Sequence, residues 1–422
     1  MKRFISAALA AGMIASSLLL AACNKETQNE NTGDQSQITS TASQISNQFE
    51  NQEESIAEIS VNDAVPEMTS SQISQMSKEL DSYKKVPEFA TSEETVDAHS
   101  LTEKLKLMVI PDNSDKTYTD LVIGQVKNAA SMAGFKEDNV DIKTTDGTVS
   151  AVSDALNSAI EKKSDAVVMF GDIDKDNVST AIETVQANGI EVISSGCAGK
   201  GIDDHFVDNT MPVDYQLAGK IMADWTLVKK NGKVNALAVN QSDSALSNTI
   251  YSGFAEEFKK YVSTATGYCT TVNGTAVEVG NGFSAKIKDE LTKDPNINYI
   301  IVFDDAMISD AVSAVSQANS KAKVIATGGS KEAFDMAQSG NIEMLVAHSY
   351  EWIGYATIDY ALRVMTGSKL PTDQNVPFRI VDADIIKKAL AEDTDDADGF
   401  YQICFGAAFV DGYKQLWGLE YE

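Results

Sequence analysis

The stretch Lys104–Phe135, KLKLMVIPDNSDKTYTDLVIGQVKNAASMAGF, decides the fold class. Leu105–Ile110 is a short apolar run, the pattern of a strand buried on both faces. Pro111–Tyr118 is a polar loop, and Asp120–Ala133 repeats apolar residues every three or four positions, which predicts a helix. The unit recurs down the chain. Further strands are expected at Val140–Lys143, Ala166–Phe170, Val192–Ser195, Val234–Val239, Tyr268–Val279, Tyr299–Phe303, Val324–Thr327 and Met344–Ala347, with helices such as Ser153–Lys162 between them. Such alternation is the signature of βαβ units and parallel sheets covered on both faces. There are more strands here than one compact sheet needs, so two α/β lobes are expected. In these sheets ligands gather beyond the carboxyl ends of the strands, and the loops that follow strands are where function is sought.

Outward from this region the composition changes. Lys2 and Arg3 precede an uncharged apolar run, Phe4–Leu20, and Leu20-Ala21-Ala22-Cys23 closes it. This reads as a cleaved leader and resembles the lipobox of bacterial lipoproteins, in which Cys23 carries lipid and becomes the mature N-terminus. Residues 24–100 hold 15 acidic and 4 basic side chains in a tract rich in Ser, Thr, Asn and Gln, which predicts a solvated tether. Ile73, Met76, Leu80 and Tyr83 have helical spacing inside it and would suit a short docking helix or a transient turn. The whole chain carries a formal charge of -28, which disfavours partners held by phosphate neutralisation, so no nucleic acid is expected. Three His and four Cys, widely scattered, offer no zinc cluster, and no cofactor is expected.

Four segments in order carry a family resemblance: Lys104–Phe135; KSDAVVMFGDIDKDNVSTAIETVQANGIEVISSG, 163–196; YIIVFDDAMISDAVSAVSQA, 299–318; and GNIEMLVAHSYEWIGYATIDYALRVMTG, 340–367. Together they resemble the type I periplasmic binding proteins, the ribose- and galactose-binding class that feeds ABC importers. The resemblance implies two Rossmann-like lobes with parallel sheets, joined by a three-strand hinge and closing on a small polar solute. It divides the chain into a first lobe, 101–208 plus 349–375, and a second, 209–348 plus 376–422. It also implies an ABC permease as partner and an extracytoplasmic, lipid-anchored location on the cell membrane through Cys23.

The same resemblance places ligand contacts at Asp115, Thr117 and Tyr118 after the first strand, at Ser195 and Gly196 after the fourth, at Asn248 and Phe283, at Asp305, and at His348 where the chain returns between lobes. Asp115 or Thr117 would equally serve as a helix cap with Tyr118 packed on it, Asp305 also suits a cap, and His348 also suits a buried structural imidazole. Departures from the pattern are clear. Gly196-Cys197 stands where sugar-binding members carry Asp-Arg, and Ile250 where they carry Arg, so the expected site is less ionic than a pentose site. Asp172, Asp174, Asp176 and Glu183 copy the spacing of a calcium loop, although a helix cap explains part of it. Cys197, Cys269 and Cys404 allow at most one disulfide. No Gly-x-Ser-x-Gly, His-Glu-x-x-His, P-loop or Gly-x-Gly-x-x-Gly motif is present, and the expectation is a binding protein rather than an enzyme. The alternatives are a sensor that presents its closed form to a membrane receptor and an extracytoplasmic α/β hydrolase; Cys197 with His205 nearby can be imagined as a nucleophile and base, although eight residues of loop fix no geometry.

Overall fold

The computed structural model describes residues 59–90, 94–112, 116–171, 173–196, 207, 209–211, 213–371, 374–391 and 402–419, and within these the side chains of all but 116–118 and 389–391. The leader, Cys23, Asp115, Asp172, Cys197 and His205 lie outside the described residues.

Two sheets organise the chain. The first runs β2-β1-β3-β4-β5, formed by Leu107–Pro111 (β1), Val140–Ile142 (β2), Ala166–Phe170 (β3), Glu191–Ser195 (β4) and Asn209–Thr210 (β5), all parallel. The second runs β11-β10-β9-β8-β6-β7, formed by Asn235–Gln241 (β6), Tyr268–Gly274 (β7), Tyr299–Val302 (β8), Lys323–Gly328 (β9), Met344–His348 (β10) and Phe378–Asp382 (β11). Its strands are parallel except β11, which pairs antiparallel with β10. The expected strand at Tyr268–Val279 ends at Gly274, where Thr275–Val279 turns back on itself.

The main α-helices, in chain order, are Ser70–Ser82 (α1), Ala98–Leu101 (α2), Lys116–Met132 (α3), Val149–Lys162 (α4), Lys175–Ala187 (α5), Tyr215–Lys229 (α6), Ala245–Tyr261 (α7), Phe283–Lys293 (α8), Ile308–Ala318 (α9), Lys331–Gln338 (α10), Tyr350–Thr366 (α11), Ala383–Ala391 (α12) and Ala408–Leu416 (α13). Several start just after a strand because a Ser, Thr or Asp there accepts from a free first-turn N–H. Thr148 takes Ala151 N at 3.3 Å, Ser244 takes Ser247 N at 3.1 Å, Ser330 takes Ala333 N at 3.1 Å and Ser349 takes Trp352 N at 3.0 Å. Each such cap is worth about 1 kcal/mol. The caps also keep polar side chains at the strand ends, where a ligand would meet them.

Apolar residues fill three clusters. One lies under α4 and α5 on the outer face of the first sheet, and one under α8, α9 and α10 on the outer face of the second. The third is continuous through both inner faces, from Val109 and Val126 through Tyr215 and Ile353 to Phe254 and Phe258.

Residues 59–90 are not a solvated tether. Met76 and Leu80 of α1 are buried against α6, and Ile59 is buried in the same cluster. Their apolar groups are few, but each meets an apolar partner more than a hundred residues away, which the local composition does not reveal. Residues 376–422 were expected to hold the end of the second lobe and a C-terminal extension, and the described part of that stretch divides between the lobes. Cys404 and Phe405 are buried in the second lobe's outer core, whereas Phe409, Tyr413 and Trp417 pack on α11, which lies against α3 in the first lobe.

The candidate ligand site

The carboxyl ends of β8, β9 and β10 bring three polar groups together. Asp304 Oδ1 accepts from Ala306 N at 2.9 Å, so it is Asp304 that caps the turn and Asp305 is left for another task. Asp305 reaches across to the next strand end. Its Oδ2 accepts from Gly329 N at 2.9 Å, from Ser330 N at 3.0 Å and from the Tyr350 hydroxyl. Its Oδ1 is buried and meets no donor among the described residues. Burial pushes the Asp305 carboxyl above the usual range, and the three donors oppose that push. Gly328 makes the arrangement possible: a Cβ there would lie 1.7 Å from Asp305 Oδ1, so any side chain would expel the carboxylate.

His348 closes β10 beside this group. It is 2% exposed, and neither Nδ1 nor Nε2 has a hydrogen-bond partner among the described residues. Its ring sits among Tyr350, Tyr215 and Phe378, at centroid distances of 5.2, 5.9 and 5.9 Å. Burial alone pulls the imidazole down to about 3, which keeps it neutral near pH 7, with one nitrogen a donor and the other an acceptor. The sign of the pH dependence follows. The unfolded imidazole takes its proton near 6.5 and the folded one only near 3, so the unfolded state binds more protons between those values. Stability from this group is constant above pH 6.5 and falls by up to about 1.4 kcal/mol per unit below it. Between pH 7 and pH 5 the parent should therefore lose about 2 kcal/mol more than His348→Gln. Urea unfolding at the two pH values measures it, and equal losses would show that His348 is not buried as described.

The remaining expected contacts are dispersed. Asn248 is partly buried in a polar network, accepting from Asn240 Nδ2 at 2.9 Å and donating to Ser242 O at 3.0 Å, at the ends of β6 and β7. Ser195 is turned inward: its hydroxyl shares a 2.8 Å hydrogen bond with Thr357 of α11 and lies 3.6 Å from Met211 Sδ, which pins β4 to α11. Gly196 lies under the Phe170 ring, which comes within 2.4 Å of where its Cβ would be. Phe283 is fully buried in the second lobe's outer core against Gly274, in the first position of α8 and on the helix's packed face. Thr117 and Tyr118 fall in the first turn of α3, with side chains outside the described residues. Ile250, where the resemblance expects Arg, is buried in the inner core. Asp174 caps α5 through Asn177 N at 3.3 Å, and no cluster of three or more His, Cys, Asp or Glu that could hold a metal occurs among the described residues.

Tyr350 is the participant that sequence reasoning left out of the site. It stands two residues after His348, in the first turn of α11, and its hydroxyl both receives Gly329 N at 3.1 Å and donates to Asp305. A tyrosine opening an apolar helix reads as core. The signal that marks it is its place directly after a strand end.

Residues 107–369 match a family described as the periplasmic binding protein domain. The chain belongs to that family. No curated protein matches the chain. Among solved structures, a 5-methylthioribose transporter solute-binding protein from Thermotoga lettingae, in complex with 5-methylthioribose, aligns with a TM-score of 0.60 at 15% identity over 76% of this chain and 98% of its own. An ABC transporter periplasmic solute-binding protein from Actinobacillus succinogenes with bound D-allose aligns at 0.58 with 18% identity, over 68% and 100% of the two chains. A solute-binding protein from Burkholderia graminis in complex with D-arabinose aligns at 0.57 with 16% identity, over 67% and 96%. At these identities the likeness speaks for the fold. The family fold accounts for the two mostly parallel sheets.

Proposed function

We propose that this periplasmic binding protein takes a small polyhydroxylated ligand, a monosaccharide or close analogue, between its two lobes and passes it to an ABC importer from the outer face of the cell membrane. The observation that carries the reading is the trio of buried acceptor and donor atoms without partners at one place: Asp305 Oδ1 and both ring nitrogens of His348. An unmet buried polar atom costs about 1 to 3 kcal/mol, and sugar hydroxyls, each donor and acceptor at once, would relieve all three. The aromatic surround of Tyr215, Tyr350 and Phe378 supplies the apolar wall that a sugar ring's C–H face needs. The structural neighbours named above hold D-allose, D-arabinose and 5-methylthioribose, which is consistent with that chemistry. Closure of two lobes around the ligand would then offset the cost of ordering the closed state.

A thermal-shift screen of aldoses, ketoses and cyclitols tests the reading. A ligand present at 100 times its dissociation constant should add about 2.7 kcal/mol and raise the melting temperature visibly. A flat response across the whole panel, with amino acids or nucleosides giving the shift instead, would replace the sugar assignment.

Lipid anchoring rests on the Leu20-Ala21-Ala22-Cys23 sequence. In this reading acyl chains on Cys23 hold the protein at the surface; among the described residues no helix is long and apolar enough to cross a membrane. Cys23→Ser should move the protein from the membrane fraction to the soluble extracytoplasmic fraction without changing its melting temperature. Retention of the variant in membranes would mean that the Phe4–Leu20 run itself is the anchor.

A further inference from the structure

The chain crosses between its lobes five times among the described residues. Three crossings lie within or at the border of the family domain: Met211–Asp214 between β5 and α6, His348–Tyr350 between β10 and α11, and 367–377 between α11 and β11. The other two belong to segments outside residues 107–369. The N-terminal segment docks α1 on α6, then lays Tyr83 along β11, where Tyr83 O accepts from Ile380 N at 2.9 Å and Lys84 Nζ meets Asp382 Oδ2 at 2.9 Å. It then inserts Phe89 against Trp352 and Tyr413 in the first lobe, at centroid distances of 5.7 and 4.9 Å. The C-terminal segment runs from Cys404 and Phe405 in the second lobe's core to α13 on α11, where Phe409 stacks on Trp352 at 4.7 Å.

These two segments interlock. Phe89 lies where any Cβ on Gly412 would be, 1.9 Å from its Cδ1. Val96 N donates to Leu416 O at 2.6 Å and Ala98 N to Trp417 O at 3.1 Å. Arg379, on the hinge strand β11 and 4% exposed, joins both to the second lobe: its guanidinium donates to Lys84 O at 3.1 Å, to Ile403 O at 2.6 Å and to Cys404 O. A buried guanidinium spent on three main-chain carbonyls is costly to desolvate and holds those segments in one place.

We propose that the two added segments form a brace across the hinge, with Arg379 as its positioning residue, which narrows the range of lobe angles and keeps the unliganded protein close to its binding-competent form. The proposal rests on reading the chain as a two-lobe binding protein. A brace of this kind raises apparent affinity without touching the ligand, because affinity scales with the fraction of molecules already competent to bind.

Spin labels report the lobe angle directly and need no ligand. Val149 on the first lobe and Val277 on the second are 49% and 79% exposed, so Val149→Cys and Val277→Cys provide label sites in the whole chain carrying Cys23→Ser and Cys197→Ser. Cys269 and Cys404 are buried, with thiols pushed up to about 12, and will not label. The braced protein should give one narrow distance distribution, and adding Phe89→Ala or Arg379→Lys should broaden it and shift it to longer distances. Variants that melt cooperatively and keep the parent distribution would overturn the proposal. Hydrogen exchange on the unmodified chain decides the case even if both variants fail to fold. The amides of Ile380, Val96 and Ala98 should exchange slowly and with a common protection factor, whereas exchange at unprotected rates would show that the segments are not docked. Because neither measurement uses a ligand, failure of the brace leaves the sugar-binding reading standing, and failure of the ligand screen leaves the brace standing.

Discussion

Asp305→Asn should leave the protein folded and reduce its affinity for the proposed sugar ligand by about 10- to 150-fold, the equivalent of the 1.5 to 3 kcal/mol of a charged hydrogen bond. The asparagine oxygen can still accept from Gly329 N, Ser330 N and the Tyr350 hydroxyl, so the three contacts that hold the side chain survive. What changes is the other atom. The unpartnered Oδ1 becomes an NH₂, an acceptor replaced by a donor, at the position where the proposed ligand contact would be made. Asp305→Ala is a poorer test, because it strips three donors of their acceptor and would lower stability as well. Isothermal titration of parent and Asp305→Asn with the sugar found in the screen measures the change, and melting curves confirm that both are folded. Equal affinities would mean that Oδ1 is not a ligand contact.

The largest loss of stability is expected at α11. Arg363 Nε donates to Asp359 Oδ2 at 2.9 Å, with side chains 0% and 2% exposed, and Trp417 Nε1 donates to Asp359 Oδ1 at 3.1 Å. Arg363→Ala leaves the carboxylate buried without its counter-charge, and removal of one member of such a pair costs about 3 to 5 kcal/mol. The double variant Asp359→Leu/Arg363→Met should recover part of that, since an apolar pair of similar volume has no charge to desolvate, the remaining loss being that of Trp417 Nε1 without its acceptor. Urea unfolding at pH 7 reads both. A loss under about 1 kcal/mol for Arg363→Ala would show that water reaches the pair. The effect bears on function because α11 follows directly from the crossing that carries His348 and Tyr350.

Where the sequence carried a strong local period, it was legible. The strands at Ala166–Phe170 and Met344–His348 lie within a residue of expectation, because a short apolar run bounded by polar loops has few other ways to be buried. β11 escaped, since Phe378-Arg379-Ile380-Val381-Asp382 is short and carries two charges, and Arg379 is met by carbonyls brought from Lys84, Ile403 and Cys404 while Lys84 meets Asp382. The docked N-terminal segment escaped for the same reason: Ile59, Met76, Leu80 and Phe89 are isolated in a polar tract, and their partners lie far along the chain. The places of Asp305 and His348 at strand ends were legible, while the burial of Phe283 was not, because which side of a helix faces the core is set by partners elsewhere in the chain.

The central claim is that one small polyhydroxylated ligand binds at the carboxyl ends of the strands, on Asp305 and His348. Calorimetric titration of the whole chain with D-allose, D-arabinose, 5-methylthioribose and the leading compound of the screen, repeated on Asp305→Asn and His348→Gln, tests it most directly. The account predicts one-site saturable binding of at least one of these compounds and a loss of about tenfold or more in each folded variant. Saturable binding that both variants keep at full strength would contradict it.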